Sequence, residues 1–223
     1  LLQIIFRSFD YWVVEKPAGM SFHAESKELG VMESLAASYP THTFYPVHRL
    51  DKMTSGLLVV ACNASAAATF GAMFENHEME KRYVALSSKK PKKKQGTISG
   101  GMVPSRRGQW KLTQDKENLA ITQFFSKYFQ GVRVFFIRPL TGKTHQIRVA
   151  LKSLGSPILG DLRYSGEKAD RGYLHAYSLQ FNWQGEVKRY CSFPSYGEYF
   201  SSELSEFLAA QFDESLLKWP AKK

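Results

Sequence analysis

The chain has 223 residues, 43% of them hydrophobic, with 16 Phe, 11 Tyr and 4 Trp, which is enough apolar surface for a core and excludes a disordered or collagen-like chain. Thirty Lys and Arg against 20 Asp and Glu leave a formal net charge of +10, an excess that favours a polyanionic partner, nucleic acid first and an anionic membrane second. No apolar run reaches the roughly 18 residues of a membrane-spanning helix, and Cys62 and Cys191 provide neither a disulfide framework nor a zinc ribbon, so a reducing cytoplasm is expected.

In chain order, Leu2–Arg7 and Tyr11–Glu15 are short β-branched or aromatic runs, and Pro17-Ala18-Gly19 breaks the pattern, which predicts two strands and a turn. Val31–Tyr39 reads as a helix closed by Pro40. Gly56–Cys62 is a continuous apolar run of strand length, the pattern of a strand buried on both faces. A helix should follow, with Asn63 as N-cap and Ala67, Phe70, Gly71 and Phe74 on one face. Lys81–Ser87, Leu119–Phe129 and Gly131–Arg138 have β texture, with a hairpin-like break at Gln130-Gly131. Between them, Lys89-Lys90-Pro91-Lys92-Lys93-Lys94 repels itself, which makes it a solvated loop or a phosphate-contacting arm.

Gln146–Leu154 should be a helix with Ile147, Ala150, Leu151 and Leu154 inward and Gly155 at its C-cap. Leu174–Trp183 and Val187–Phe193 read as strands, and Ser201–Phe212 as a final amphipathic helix. Strands outnumber helices without regular alternation, so the predicted class is α+β: a mixed, mostly antiparallel central sheet flanked by helices.

Several signatures fail. Gly142-Lys143-Thr144 lacks the glycine of a phosphate-binding loop, because Ile137 stands where it is needed. His77-Glu78 opens like a zincin helix, but Lys81 replaces the second histidine, and no metal is indicated. No nucleophile elbow occurs, and Ser21 with His23 reads as a turn.

The informative segment is His48-Arg49-Leu50-Asp51-Lys52-Met53-Thr54-Ser55-Gly56-Leu57-Leu58. It places a carboxylate beside two cations just before a buried strand. If the chain is extended there, Arg49 and Asp51 share one side while Leu50 points into the core; a salt-bridged turn capped by Asp51 is the plainer alternative.

This segment resembles the active-site motif of the RluA family of pseudouridine synthases. Four further segments resemble that family in the right order: Lys16-Pro17-Ala18-Gly19; Lys81-Arg82-Tyr83; Gly142-Lys143-Thr144-His145-Gln146-Ile147-Arg148 with Pro157-Ile158-Leu159-Gly160-Asp161 after it; and Leu174-His175-Ala176. The resemblance implies that Asp51 is the nucleophile, that Tyr83 stacks on the target base, and that Arg148 is the ion-pair partner of Asp51. It implies that Ile147 and Leu174 line the pocket and that Arg49 contacts RNA; Lys16, His48 and Thr54 are further candidate substrate contacts. Lys143 stands where the family usually has Arg, which keeps the charge but loses the planar fork.

The chemistry agrees with these residue types. A carboxylate attacks only while ionised; burial opposes ionisation and a neighbouring guanidinium restores it. Evicting a base from folded RNA costs a few kcal/mol, which phosphate contacts offset; Arg106, Arg107, Arg133 and the lysine run are candidate donors.

The expectation is therefore an RNA uridine isomerase acting on structured rRNA or tRNA through a basic cleft, with no metal and no organic cofactor. Residues 1–223 should form a single catalytic domain without the small N-terminal RNA-binding module of many relatives. A monomer with no obligatory protein partner and no membrane association is expected. A non-catalytic RNA-binding or RNA-folding protein on the same fold is the alternative; a metal-dependent nuclease would need clustered carboxylates that the sequence lacks.

Overall fold

The computed structural model describes residues 2–25, 28–213 and 216–220. Its elements are β1 (Gln3–Arg7), β2 (Tyr11–Lys16), α1 (Val31–Ser38), β3 (Tyr45–Pro46), β4 (Ser55–Ala61), α2 (Ala64–Glu75), β5 (Glu80–Ser87), β6 (Gln95–Pro104), β7 (Trp110–Thr113), β8 (Leu119–Phe129), β9 (Val132–Pro139), α3 (Gln146–Ser153), β10 (Leu174–Trp183), β11 (Glu186–Cys191) and α4 (Ser202–Gln211). They group into two compact units, Leu1–Glu80 with His175–Ser192, and Lys81–Leu174 with Phe193–Lys223.

In the first unit β4 is the central strand, and all seven of its residues are buried, which is why its sequence is apolar without alternation. β2 runs antiparallel along one edge, from Tyr11 opposite Ala61 to Lys16 opposite Gly56, and β1 pairs outside β2. On the other edge β10 runs parallel to the start of β4, His175 opposite Ser55, and β3 pairs with its end. β11 returns antiparallel on β10. The core is aromatic: Tyr11 meets Phe70, Phe181 and Trp183 edge-on with centroids 5.3, 5.6 and 5.1 Å away, and its hydroxyl is 2.8 Å from that of Tyr190. The Asn63 side chain accepts from Ala66 N–H at 2.8 Å, the cap expected for α2. The buried face of that helix centres on Ala66 and Phe70; Gly71, expected inside, is exposed.

The second unit is an antiparallel ribbon in the order β5-β9-β8-β6-β7. Tyr83 stands opposite Ile137, and Ile137 opposite Phe124, so these three side chains share a face. On the opposite face Phe136 stacks on Phe212 and Phe125 packs against Trp219, which seats α4 and the segment after it. Met102, Ala120, Val149 and Tyr164 form a smaller buried cluster.

Apart from the parallel β4–β10 pair, every strand pairing given above is antiparallel, so the class is α+β as expected. Three strands, β3, β6 and β7, are not legible in the sequence. β6 contains Gly96, Gly100, Gly101 and Pro104, all poor strand formers; its pairing with β8 from Gln95 opposite Phe125 to Gly101 opposite Leu119 overrides them. None of the helices is long and apolar enough to cross a membrane among the described residues.

Candidate active site

Asp51 belongs to the first unit. The chain from 49 to 51 alternates as expected: Arg49 exposed, Leu50 buried, Asp51 half-buried. Thr54 N–H donates to the Asp51 carbonyl oxygen at 2.9 Å, a backbone hydrogen bond that closes the turn. The next carbonyl, that of Lys52, accepts from Gly19 N–H at 2.8 Å and from the Lys16 ammonium at 3.1 Å. That ammonium also donates to the Pro17 carbonyl at 2.9 Å and the Met20 carbonyl at 2.6 Å. Lys16 is 0% exposed. The first motif is thus a bracket that holds the Asp51 turn from behind.

The geometry places three of the candidate substrate contacts against the motif's own backbone. Lys16 spends its three ammonium hydrogens on backbone carbonyls and has no surface left for RNA. His48 accepts the Val59 N–H on Nε2 at 2.9 Å and stacks on Phe74 at 4.6 Å, so it ties the motif to β4. Thr54 is 2% exposed, because it enters the fully buried strand. All three position the turn.

Behind the turn lies a polar chain. The Ser55 hydroxyl is 2.8 Å from His175 Nδ1, and His175 Nε2–H donates to the Ser192 carbonyl at 2.9 Å. The Ser192 hydroxyl donates to Glu15 at 2.6 Å. Gly56 follows with φ +107°, and a Cβ there would lie 2.4 Å from the Ala176 carbonyl oxygen. Only glycine lets β4 and β10 approach this closely, which accounts for Ser55-Gly56 and His175-Ala176 as paired motif elements.

Tyr83, Arg148, Ile147 and Leu174 belong to the second unit. Tyr83 is half-buried on β5. Two residues earlier, burial pushes the Lys81 ammonium below its ordinary pKa. Ile147 and Leu174 are buried. Arg148 is the third residue of α3; its Nε donates to Asp161 Oδ2 at 2.7 Å and its Nη2 to Asp161 Oδ1 at 2.9 Å. Both side chains are buried, and the guanidinium also lies 4.9 Å from the Tyr164 ring centroid. Tyr164 is itself fixed: its hydroxyl accepts from Trp110 N–H and lies against His145 Nδ1, both at 2.8 Å.

The loop before α3 is pinned by Gln146. Its Oε1 accepts from Lys143 N–H at 2.9 Å and from the Thr141 hydroxyl at 2.7 Å. Its Nε2 donates to the Ile121 carbonyl and to Thr122 Oγ1, both at 3.0 Å. Gln146, His145, Asp161 and Tyr164 all stand in or next to the quoted motifs, yet their roles were not legible there, because their partners are set by folding. Of the candidate phosphate donors, Arg106 and Arg107 are exposed. Arg133 differs: its guanidinium donates to the Ser126 hydroxyl and carbonyl at 3.1 and 3.0 Å. Among the described residues no group of three or more His, Cys, Asp or Glu is arranged to hold a metal.

The chain matches the RNA pseudouridylate synthase family over residues 10–153, a stretch that contains Asp51, Tyr83 and Arg148. An uncharacterized RNA pseudouridine synthase of Haemophilus influenzae is 46% identical over 202 residues, covering 89% of this chain and 90% of that protein. Ribosomal large subunit pseudouridine synthase C of Rickettsia bellii is 31% identical over 208 residues, covering 86% and 69%. The solved structure of human RNA pseudouridylate synthase domain containing 1 superposes with a TM-score of 0.75 at 26% identity, covering 99% of this chain and 97% of that one. The chain belongs to the RNA pseudouridylate synthase family, the RluA-type isomerases whose motifs it carries.

Proposed function

We propose that this protein isomerises uridine to pseudouridine in structured ribosomal or transfer RNA, with Asp51 as nucleophile and the target base everted from its stack. The observation that carries the reading is the turn at Asp51, clamped through the Lys52 carbonyl by a buried ammonium and through its own carbonyl by Thr54 N–H. Such a scaffold fixes a half-buried carboxylate in place before the substrate arrives.

The reaction breaks the bond from ribose C1′ to uracil N1, turns the base, and joins C1′ to C5. The proton lost from C5 is balanced by one gained at N1, so no oxidant, metal or organic cofactor enters. Arg148 supplies the guanidinium of the site, and its fork is oriented by Asp161. Tyr83 stacks on the free uracil and its hydroxyl assists removal of the C5 proton. Ile147 and Leu174 line the base pocket, and Arg49, exposed beside Asp51, contacts the RNA. The rRNA reading is supported by the Rickettsia relative named for the large ribosomal subunit. In this reading residues 1–223 act as one catalytic domain, as a monomer, in the cytoplasm.

The test is tritium release from RNA transcribed with 5-tritiated uridine, followed by mapping of the modified position. Release in the presence of a chelator supports the reading; stable binding with no release identifies a non-catalytic RNA-binding protein instead.

A further inference from the structure

The lysine run is not a loose loop. Lys89 N–H donates to Ser87 Oγ at 3.2 Å, and its carbonyl accepts from the Ser156 hydroxyl. Lys92 N–H donates to the Leu154 carbonyl at 2.9 Å, and the Lys94 carbonyl accepts from the Ser126 hydroxyl at 2.6 Å. Pro91 is buried while Lys92, Lys93 and Lys94 are exposed. The backbone is thus anchored at three residues, and only the side chains are left to solvent.

The anchors place this segment across the C-terminal end of α3. Positions 148, 152 and 155 are four and seven residues along one helical stripe. Lys152 is exposed on it, with its ammonium 5.6 Å from the same Tyr164 ring that lies under Arg148. Gly155 has φ +75°, and a Cβ there would stand 3.9 Å from Lys92 Cε, so the stem of Lys92 lies over the helix end. From Arg148 to Gly155 the helical rise is roughly 10 Å. Neither Lys89–Gln95 nor 146–155 contains an Asp or Glu. Among the described residues, Lys92, Lys93, Lys94 and Lys152 have no carboxylate partner.

We propose that Lys152, Lys92, Lys93 and Lys94 form a phosphate-binding track that takes the RNA backbone within a few nucleotides of the target uridine. The proposal rests on the reading of Arg148 as an active-site residue. Four cations on an anchored backbone lose little entropy when phosphates dock, and each phosphate neutralised releases counterions. The negative end of the α3 dipole would also favour lysines here, but that role acts on folding and leaves RNA affinity untouched.

The test compares wild type with a Lys92→Gln/Lys93→Gln/Lys94→Gln/Lys152→Gln variant. The probe is a fluorescent RNA stem–loop with uridines in its loop, and Kd is measured between about 50 and 200 mM salt. The slope of log Kd against log salt should fall by about 0.7 for each phosphate that is no longer neutralised, with the urea midpoint preserved and turnover at saturating RNA retained. A second variant removes the same charge elsewhere, Lys111→Gln/Lys116→Gln/Lys168→Gln/Lys218→Gln, and should keep the wild-type slope. An unchanged slope in the first variant, or an equal fall in both, overturns the track. If wild type itself releases no tritium, the functional reading fails instead, whatever the slopes.

Discussion

Arg148 and Asp161 form a buried fork-to-fork pair, two hydrogen bonds of 2.7 and 2.9 Å across 13 residues of chain. A bidentate pair fixes the plane of the guanidinium as well as its charge, and the pair stands inside the protein where an unpaired partner is costly. Asp161→Asn should lower stability by about 3–5 kcal/mol, the cost of breaking such a pair, and lower kcat as the fork swings out of line. Arg148→Lys retains the charge without the fork and should lose kcat as well. Urea unfolding and single-turnover kinetics check both; wild-type kcat in the Asp161→Asn protein would separate Asp161 from the chemistry.

Lys16 braces the turn that carries Asp51, through the Lys52 carbonyl. Lys16→Met leaves the carbonyls of Pro17, Met20 and Lys52 without their shared donor, a loss on the order of 3 kcal/mol. Because the side chain is buried, RNA affinity should stay at the wild-type level while kcat falls. A weakened Kd with unchanged kcat would restore Lys16 to the RNA-contacting surface.

How far the sequence could be read depends on the range of the interaction. β10 and β8 span the predicted residues, and Asn63 caps α2 as expected, because local periodicity and capping chemistry determine those elements. The glycine- and proline-bearing β6 was hidden, since its strand character comes from β8. Motifs singled out Lys16 and Thr54 without showing that they are buried. Their direction depends on contacts such as Lys16 with Lys52, 36 residues apart. The Ser55–His175 hydrogen bond spans 120 residues and is beyond any local pattern.

Gly56 gives a steric prediction. Gly56→Ala puts a methyl group 2.4 Å from the Ala176 carbonyl oxygen at φ +107°, so β10 must move off β4. The expected loss is at least about 3 kcal/mol, read as a fall in the urea midpoint, and His175 should separate from Ser55. A midpoint equal to wild type would contradict the close strand approach.

Asp170 gives a pH prediction. Burial opposes its ionisation, but the Tyr173 hydroxyl at 2.5 Å and Glu198 N–H at 3.1 Å outweigh it, and its carboxyl is held below the usual range. Folding therefore favours the ionised form, and this stability is present above the ordinary carboxylate pKa and lost as pH falls through the lowered one. Asp170→Asn should be less stable than wild type at pH 7, and the gap in urea midpoint should narrow below about pH 4. A gap that stays constant with pH would remove Asp170 as its source.

The carboxylate at position 51 is the proposed nucleophile, and Asp51→Asn probes it with the least disturbance to shape. Tritium release from 5-tritiated uridine in RNA should vanish in that variant while its urea midpoint and RNA affinity match wild type. Release at the wild-type rate would contradict the assignment of Asp51 as nucleophile.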